Sequence, residues 1–127
     1  MQRQLFELVG ADDRSFSPYC WRTRLALAHK GLEAELVPCR FREIAARVAF
    51  AGHDRVPVLK DGDRAVGDSW AIACYLEDAY PDRPSLFGDE GFGDSDGRRF
   101  ARFVNGWVDA AVSPSLAAAI IPDVYDV

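Results

Sequence analysis

The chain has 127 residues, enough for one domain with its own core and short for two complete ones. Its composition, 49% hydrophobic and 28% charged, excludes a disordered chain. A formal net charge of -5 and a pI near 4.9 argue against nucleic acid as a main partner, although local donors can still bind an anion.

Gln4 to Val9 reads as a strand whose Leu5, Phe6, Leu8 and Val9 suit burial on both faces. Gly10 to Ser17 is polar loop. Pro18 to Lys30 is expected to be a helix with Trp21, Leu25, Ala28 and Leu32 as its apolar pattern, stopped by Gly31. Glu35 to Pro38 is a second strand, and a strand–helix–strand unit makes the two strands parallel. Phe41 to Phe50 is a helix candidate with Phe41, Ile44 and Val48 on one face, ended by Gly52. Val56 to Lys60 is a third strand, and Asp61-Gly62-Asp63 turns it back into a short antiparallel strand, Arg64 to Val66. Asp68 to Tyr80 is a helix with Ile72, Tyr75, Leu76 and Ala79 on one face. The expected order is β-α-β-α-β-β-α, an α/β domain over residues 1–82.

Pro81-Asp82-Arg83-Pro84 cannot continue a helix, and the Gly- and Asp-rich stretch that follows makes 83–97 a linker. Phe100, Phe103, Val104, Trp107, Val108 and Ala111 then recur at helical spacing, the strongest amphipathic pattern in the chain. Ser113-Pro114 is expected to stop or kink that helix, before a short apolar run from Leu116 to Ile121. Residues 98–127 are thus the beginning of an all-α part. One amphipathic helix and a fragment cannot bury their own stripe, so the chain is expected to be a truncated form.

No uninterrupted apolar run approaches the ~18 residues of a membrane span, so no membrane partner is expected. The N-terminus, with Arg3 and Glu7, has no secretory apolar region. Cys20, Cys39 and Cys74 are an odd number without metal-ligand spacing, and His29 and His53 stand apart. A reducing cytoplasm and no metal are the expectations.

Three motifs carry chemistry. In Ser17-Pro18-Tyr19-Cys20-Trp21-Arg22, proline opens a helix directly after a strand and loop. The first-turn amides and the Ser17 hydroxyl would face an anion such as a thiolate. The plain alternative is a Ser N-cap with no ligand. In Val56-Pro57, proline begins a strand where its missing N–H is tolerated. Asp68-Ser69 opens a helix. It is either an ordinary N-cap or a seat for a group bearing both carboxylate and ammonium.

Ser-Pro-Tyr-Cys resembles the Cys-Pro-Tyr-Cys of glutaredoxins with serine at the first position. Ser-Pro-Tyr-x-Trp-Arg, Val-Pro-Val-Leu, Asp-Ser-Trp-x-Ile-Ala-x-Tyr-Leu and Tyr-Pro-Asp-Arg-Pro together resemble the serine-type bacterial glutathione S-transferases, close to the glutathione-dependent β-etherase branch. That resemblance implies a thioredoxin-like domain followed by a helical one, and a cis bond into Pro57. It implies glutathione as co-substrate, a hydrophobic electrophile, with an aryl ether as the candidate, as second substrate, and a homodimer when full length. Ser17 would be the catalytic thiolate-stabilising group. Val56, Pro57, Asp68 and Ser69 would hold glutathione, with Arg55, or else Arg40 or Arg42, at its glycyl carboxylate. Cys20 stands where a dithiol motif has its second cysteine. It is either an inward-packed residue or a second reactive thiol. Two other readings are a non-catalytic dimerising or docking module, and a thiol–disulfide oxidoreductase working through Cys20.

Overall fold

The computed structural model describes residues 2–88 and 93–125. They form two compact units, one ending at Leu86 and the other beginning at Phe87.

The first unit is built on a four-stranded mixed sheet in the order β2-β1-β3-β4. Its strands are β1 (Arg3–Leu8), β2 (Glu35–Cys39), β3 (Val58–Asp61) and β4 (Arg64–Gly67). β1 and β2 are parallel, with α1 (Pro18–His29) as their crossover, and β3 runs antiparallel to both β1 and β4. Helices α2 (Ile44–Val48) and α3 (Ser69–Ala79) complete the expected β-α-β-α-β-β-α order. Gly31 takes φ +64, the left-handed conformation that ends α1 at little steric cost. The β3–β4 hairpin has a two-residue loop, because Asp61 pairs with Arg64 and Gly62 adopts φ +60 between them.

Alternation along the strands divides the sheet's two faces. Leu5 and Leu59 face each other across β1 and β3 and form one core with Ala26, Leu27 and Leu32 of the α1 region and Ile72 and Leu76 of α3. Phe6, of opposite parity, packs its ring 5.2 Å from that of Phe50 beyond α2. Burying one such aliphatic side chain contributes roughly 1.5–3 kcal/mol, so these residues supply most of the unit's cohesion.

Helix α1 buries a different face from the expected one. Trp21 and Leu25 are exposed, and Cys20, Thr23, Ala26 and Leu27 point inward. The helix is apolar on both sides, so periodicity alone does not choose between them. The buried side is the one whose polar members, Thr23 and Lys30, interrupt the pattern. Phe41 likewise lies outside α2 and is exposed, leaving Val48 as the buried residue of that short helix.

The first helix of the second unit is α4 (Gly93–Trp107), which starts inside the stretch read as linker; residues 89–92 of that stretch lie outside the described residues. A π-helical turn, Val108–Val112, leads directly into α5 (Ser113–Tyr125). Ser113-Pro114 therefore does not end the helix. Pro114 falls at the second position of α5, where its missing N–H is absorbed by the preceding π turn. Asp96–Asp123 is a helical run of 28 residues, long and apolar enough by length and composition to cross a membrane. This differs from the expectation from uninterrupted runs, because residues such as Asp109 and Ser113 break the run without making the whole segment polar. Phe100, Phe103 and Trp107 of its amphipathic stripe are exposed.

Candidate functional site

Strand register brings the three motifs to one end of the sheet. Phe6 of β1 lies opposite Val58 of β3, and Val58 lies opposite Gly67 of β4. The chain leaves β1 toward Ser17, enters β3 from Val56-Pro57 and leaves β4 into Asp68, all at this end. β2 finishes here too, with Cys39 opposite Leu8.

Ser17 is the N-cap of α1 and is nearly buried. Its hydroxyl oxygen accepts the Cys20 N–H at 3.4 Å, and its carbonyl accepts the Trp21 N–H at 3.0 Å. Pro18 has no N–H, so among the described bonds Tyr19 alone keeps an unused first-turn amide. The helix start is thus less open than its sequence implied. The hydroxyl compensates, because accepting from Cys20 leaves its own proton to donate to a ligand.

Cys20 does not have the properties of a reactive thiol. Its side chain is fully buried, and burial pushes its pKa up, against smaller downward pulls from the Leu8 backbone and Ser17. A nucleophilic cysteine must be both reachable and readily ionised.

The Val56–Pro57 bond is cis, as the resemblance implied. Val56 is half-buried and lies just before the β3 ladder, which begins at Val58; Pro57 is buried. Arg55 is exposed and has no bonded partner among the described residues. Arg40 is already committed, donating to the Gly10 carbonyl at 3.0 Å and to Asp13 at 3.1 Å. Arg42 is exposed.

Asp68 caps α3, its Oδ2 accepting the Ala71 N–H at 3.0 Å. The cap is formed from an unusual backbone conformation, φ 71 and ψ 126, which costs a residue with a side chain roughly 1–3 kcal/mol. One carboxylate oxygen thus holds the helix, and the exposed side chain keeps the other toward solvent. Ser69 follows as the first helical residue and is buried.

Two features of this end were not legible in the sequence. His53 lies against Gly67, the residue before Asp68: a β-carbon added to Gly67 would meet the imidazole at 2.6 Å. Only closure of the β3–β4 hairpin brings these residues together. His53 is exposed and the atoms met are the tip of its ring, so the side chain can swing aside, and we expect Gly67→Ala to cost less than about 1 kcal/mol. His53→Ala in the same chain should restore most of that loss, as measured by denaturant unfolding in a double-mutant cycle.

The second feature is Glu7, buried near the C-terminal end of β1 on the α1 side. Arg24 donates its Nε to Glu7 Oε2 at 2.7 Å and its Nη2 to Oε1. The Ser15 hydroxyl donates to Glu7 at 2.8 Å and accepts from Arg24 at 2.9 Å. A lone glutamate inside an apolar strand was the available signal, but its partner seventeen residues on was not.

The architecture around this end is that of a thioredoxin-like domain. Residues 16–79 match the family model described as glutathione S-transferase, N-terminal domain. The chain belongs to the glutathione S-transferase family. A probable glutathione S-transferase of Oryza sativa subsp. indica, GSTU1, is 36% identical over 101 residues, covering 73% of this chain and 42% of that protein. A glutathione S-transferase of Ceriporiopsis subvermispora, solved in complex with glutathione, superposes with a TM-score of 0.80 at 25% identity, covering 98% of this chain and 52% of its own. The rice enzyme OsGSTU1, also in complex with glutathione, gives 0.70 at 30% identity, covering 90% and 50%. The chain therefore spans about half the length of the relatives it matches.

Proposed function

We propose that the chain binds glutathione along the sheet end that carries Ser17, Val56 and Asp68, and activates its thiol as a glutathione S-transferase. The observation that carries this reading is the register Phe6–Val58–Gly67, which gathers three motifs from across some fifty residues. Val56 offers backbone groups outside the ladder to an extended peptide, as an added strand would use them. The start of α3, with Asp68 and Ser69, suits a γ-glutamyl head bearing both charges. Arg55, or else Arg42, meets the glycyl carboxylate in this reading, since Arg40 is already paired. The complexes of the fungal and rice proteins with glutathione support the same ligand.

In this reading residues 1–82 are the glutathione-binding domain, 83–97 a linker, and 98–127 the beginning of a helical domain. The second substrate is a hydrophobic electrophile, and the Ser-Pro-Tyr-x-Trp-Arg motif makes an aryl ether the candidate. The full-length protein is a cytoplasmic homodimer. In this reading the long α4–α5 run belongs to a helical domain and is not a span: its first turns carry Arg98, Arg99 and Arg102, and Asp109 interrupts the apolar stretch that follows.

Retention of the chain on immobilised glutathione, with release by the free tripeptide, is the expected result. Passage straight through the column would overturn the binding proposal. It would favour a docking module, a reading that rests on the exposed Phe100, Phe103 and Trp107.

A further inference from the structure

Ser15, two residues before Ser17, is the most heavily tied residue of the loop between β1 and α1. Its hydroxyl uses both of its capacities, donating to Glu7 and accepting from Arg24. Its carbonyl accepts the Trp21 indole N–H at 2.8 Å, and it forms an isolated antiparallel bridge with Val9. Arg24 in turn lies 4.8 Å from the centre of the Trp21 ring. Strand β1 and helix α1 therefore grip the same loop residue, each through a charged side chain and a second contact.

Stability alone does not account for this arrangement. A buried ion pair loses hydration, and a well-packed apolar set often holds a fold equally well. What the guanidinium–carboxylate fork adds is direction, since its donors have a fixed planar geometry. A displacement of about 1 Å in a reacting group is enough to cost ~100-fold in rate.

We propose that Glu7, Arg24 and Ser15 form a positioning clamp that sets the Ser17 hydroxyl against the sulfur of bound glutathione. The proposal rests on the reading of the site given above. Glu7, Arg24 and Ser15 act through Ser17 and do not themselves touch the ligand. The titratable and charged groups around this loop are Asp12, Asp13 and Arg14 of the loop itself, Glu7 on β1, Tyr19, Cys20, Arg22 and Arg24 on α1, and Arg40, paired with Asp13. Burial pushes the Cys20 thiol up, away from neutrality, whereas the proposed site draws the ligand thiol down.

The test follows the ultraviolet absorbance of bound thiolate against pH, with glutathione affinity measured by calorimetry on the same samples. In Ser15→Ala the bound thiol should titrate about one unit higher than in the parent, which is tenfold less thiolate below its pKa. Affinity should be nearly unchanged, and Ser15→Thr should restore the parent titration. Arg24→Lys keeps the charge without the fork and should raise the thiol in the same way, which gives a second reading should Ser15→Ala fail to fold. Parent-like titration in Ser15→Ala or, failing that, in Arg24→Lys removes the clamp while leaving the glutathione site standing. A parent chain that binds no glutathione, or binds it without lowering its thiol, removes both.

Discussion

Lys30→Ala should destabilise the first unit by about 3–5 kcal/mol, the range for removing one partner of a buried ion pair. The Lys30 side chain is completely buried at the end of α1. Its ammonium lies 3.1 Å from Glu77 on α3 and donates to the carbonyls of Tyr80 and Pro84, each at 3.2 Å. Truncation would strand a carboxylate and two carbonyls around a cavity. Since whole domains are stable by only about 5–15 kcal/mol, the loss would be a large fraction of the total. Chemical denaturation, followed through the tryptophans, measures it directly. Lys30→Met combined with Glu77→Gln should cost less than the sum of the single changes, because neither leaves the other's charge behind.

The same pair makes stability depend on acid. Burial pulls the Glu77 pKa up, but hydrogen bonds from the Leu86 N–H, Ser85 and Lys30, with the Lys30 charge, outweigh it and leave the group below its ordinary value of 4.5. A carboxyl depressed in the folded state stabilises above its unfolded pKa and loses that contribution as pH falls through the folded one. The unit should therefore weaken on acidification below 4.5. The part of that weakening due to Lys30 should be missing in Lys30→Met.

Ser17→Ala should reduce turnover about ten- to a hundredfold while leaving glutathione affinity nearly intact. A hydroxyl hydrogen bond to a charged acceptor is worth roughly 1.5–3 kcal/mol, and each pKa unit about 1.4. A free alkyl thiol titrates near 8.5, so only a few per cent is ionised at neutral pH. Losing the Ser17 donor would return bound glutathione toward that condition. In the proposed site the remaining contacts, at Val56 and Asp68, would set affinity and lie on other elements. The substitution also removes the α1 cap, at about 1 kcal/mol, so turnover is compared at a temperature where both chains are fully folded. Unchanged activity in Ser17→Ala, with loss in Cys20→Ser, would reverse the assignment of roles.

Backbone-determined features of this protein were readable from residue types alone. Gly31 and Gly62 take positive φ where a helix stop and a hairpin loop were expected, and Asp68 caps α3. The parallel β1–β2 pair followed from the strand–helix–strand unit and the β3–β4 hairpin from its Asp-Gly turn, whereas the antiparallel β1–β3 pairing that joins them had no local signal. The α1 interior was not readable, because its polar members are made acceptable by partners distant in sequence. Lys30 is inward only because Glu77, Tyr80 and Pro84 meet it there, and Glu7 only because Arg24 and Ser15 do. Periodicity counts apolar residues along one element and has no access to such pairings. The site shows the same division. The Ser17 and Asp68 caps were local signals, whereas His53 beside Gly67 arises from hairpin closure.

Lys30 grips the segment after α3 by carbonyl oxygens, and Glu77 receives the amide of Leu86. These are main-chain atoms that almost any residue supplies. The polar half of this fastening is thereby indifferent to side-chain identity, while Tyr80 and Leu86 add their own side chains to the core. Substitutions in the segment after α3 that keep Tyr80 and Leu86 would therefore leave this seam closed without rewriting the sheet end that carries Ser17, Val56 and Asp68.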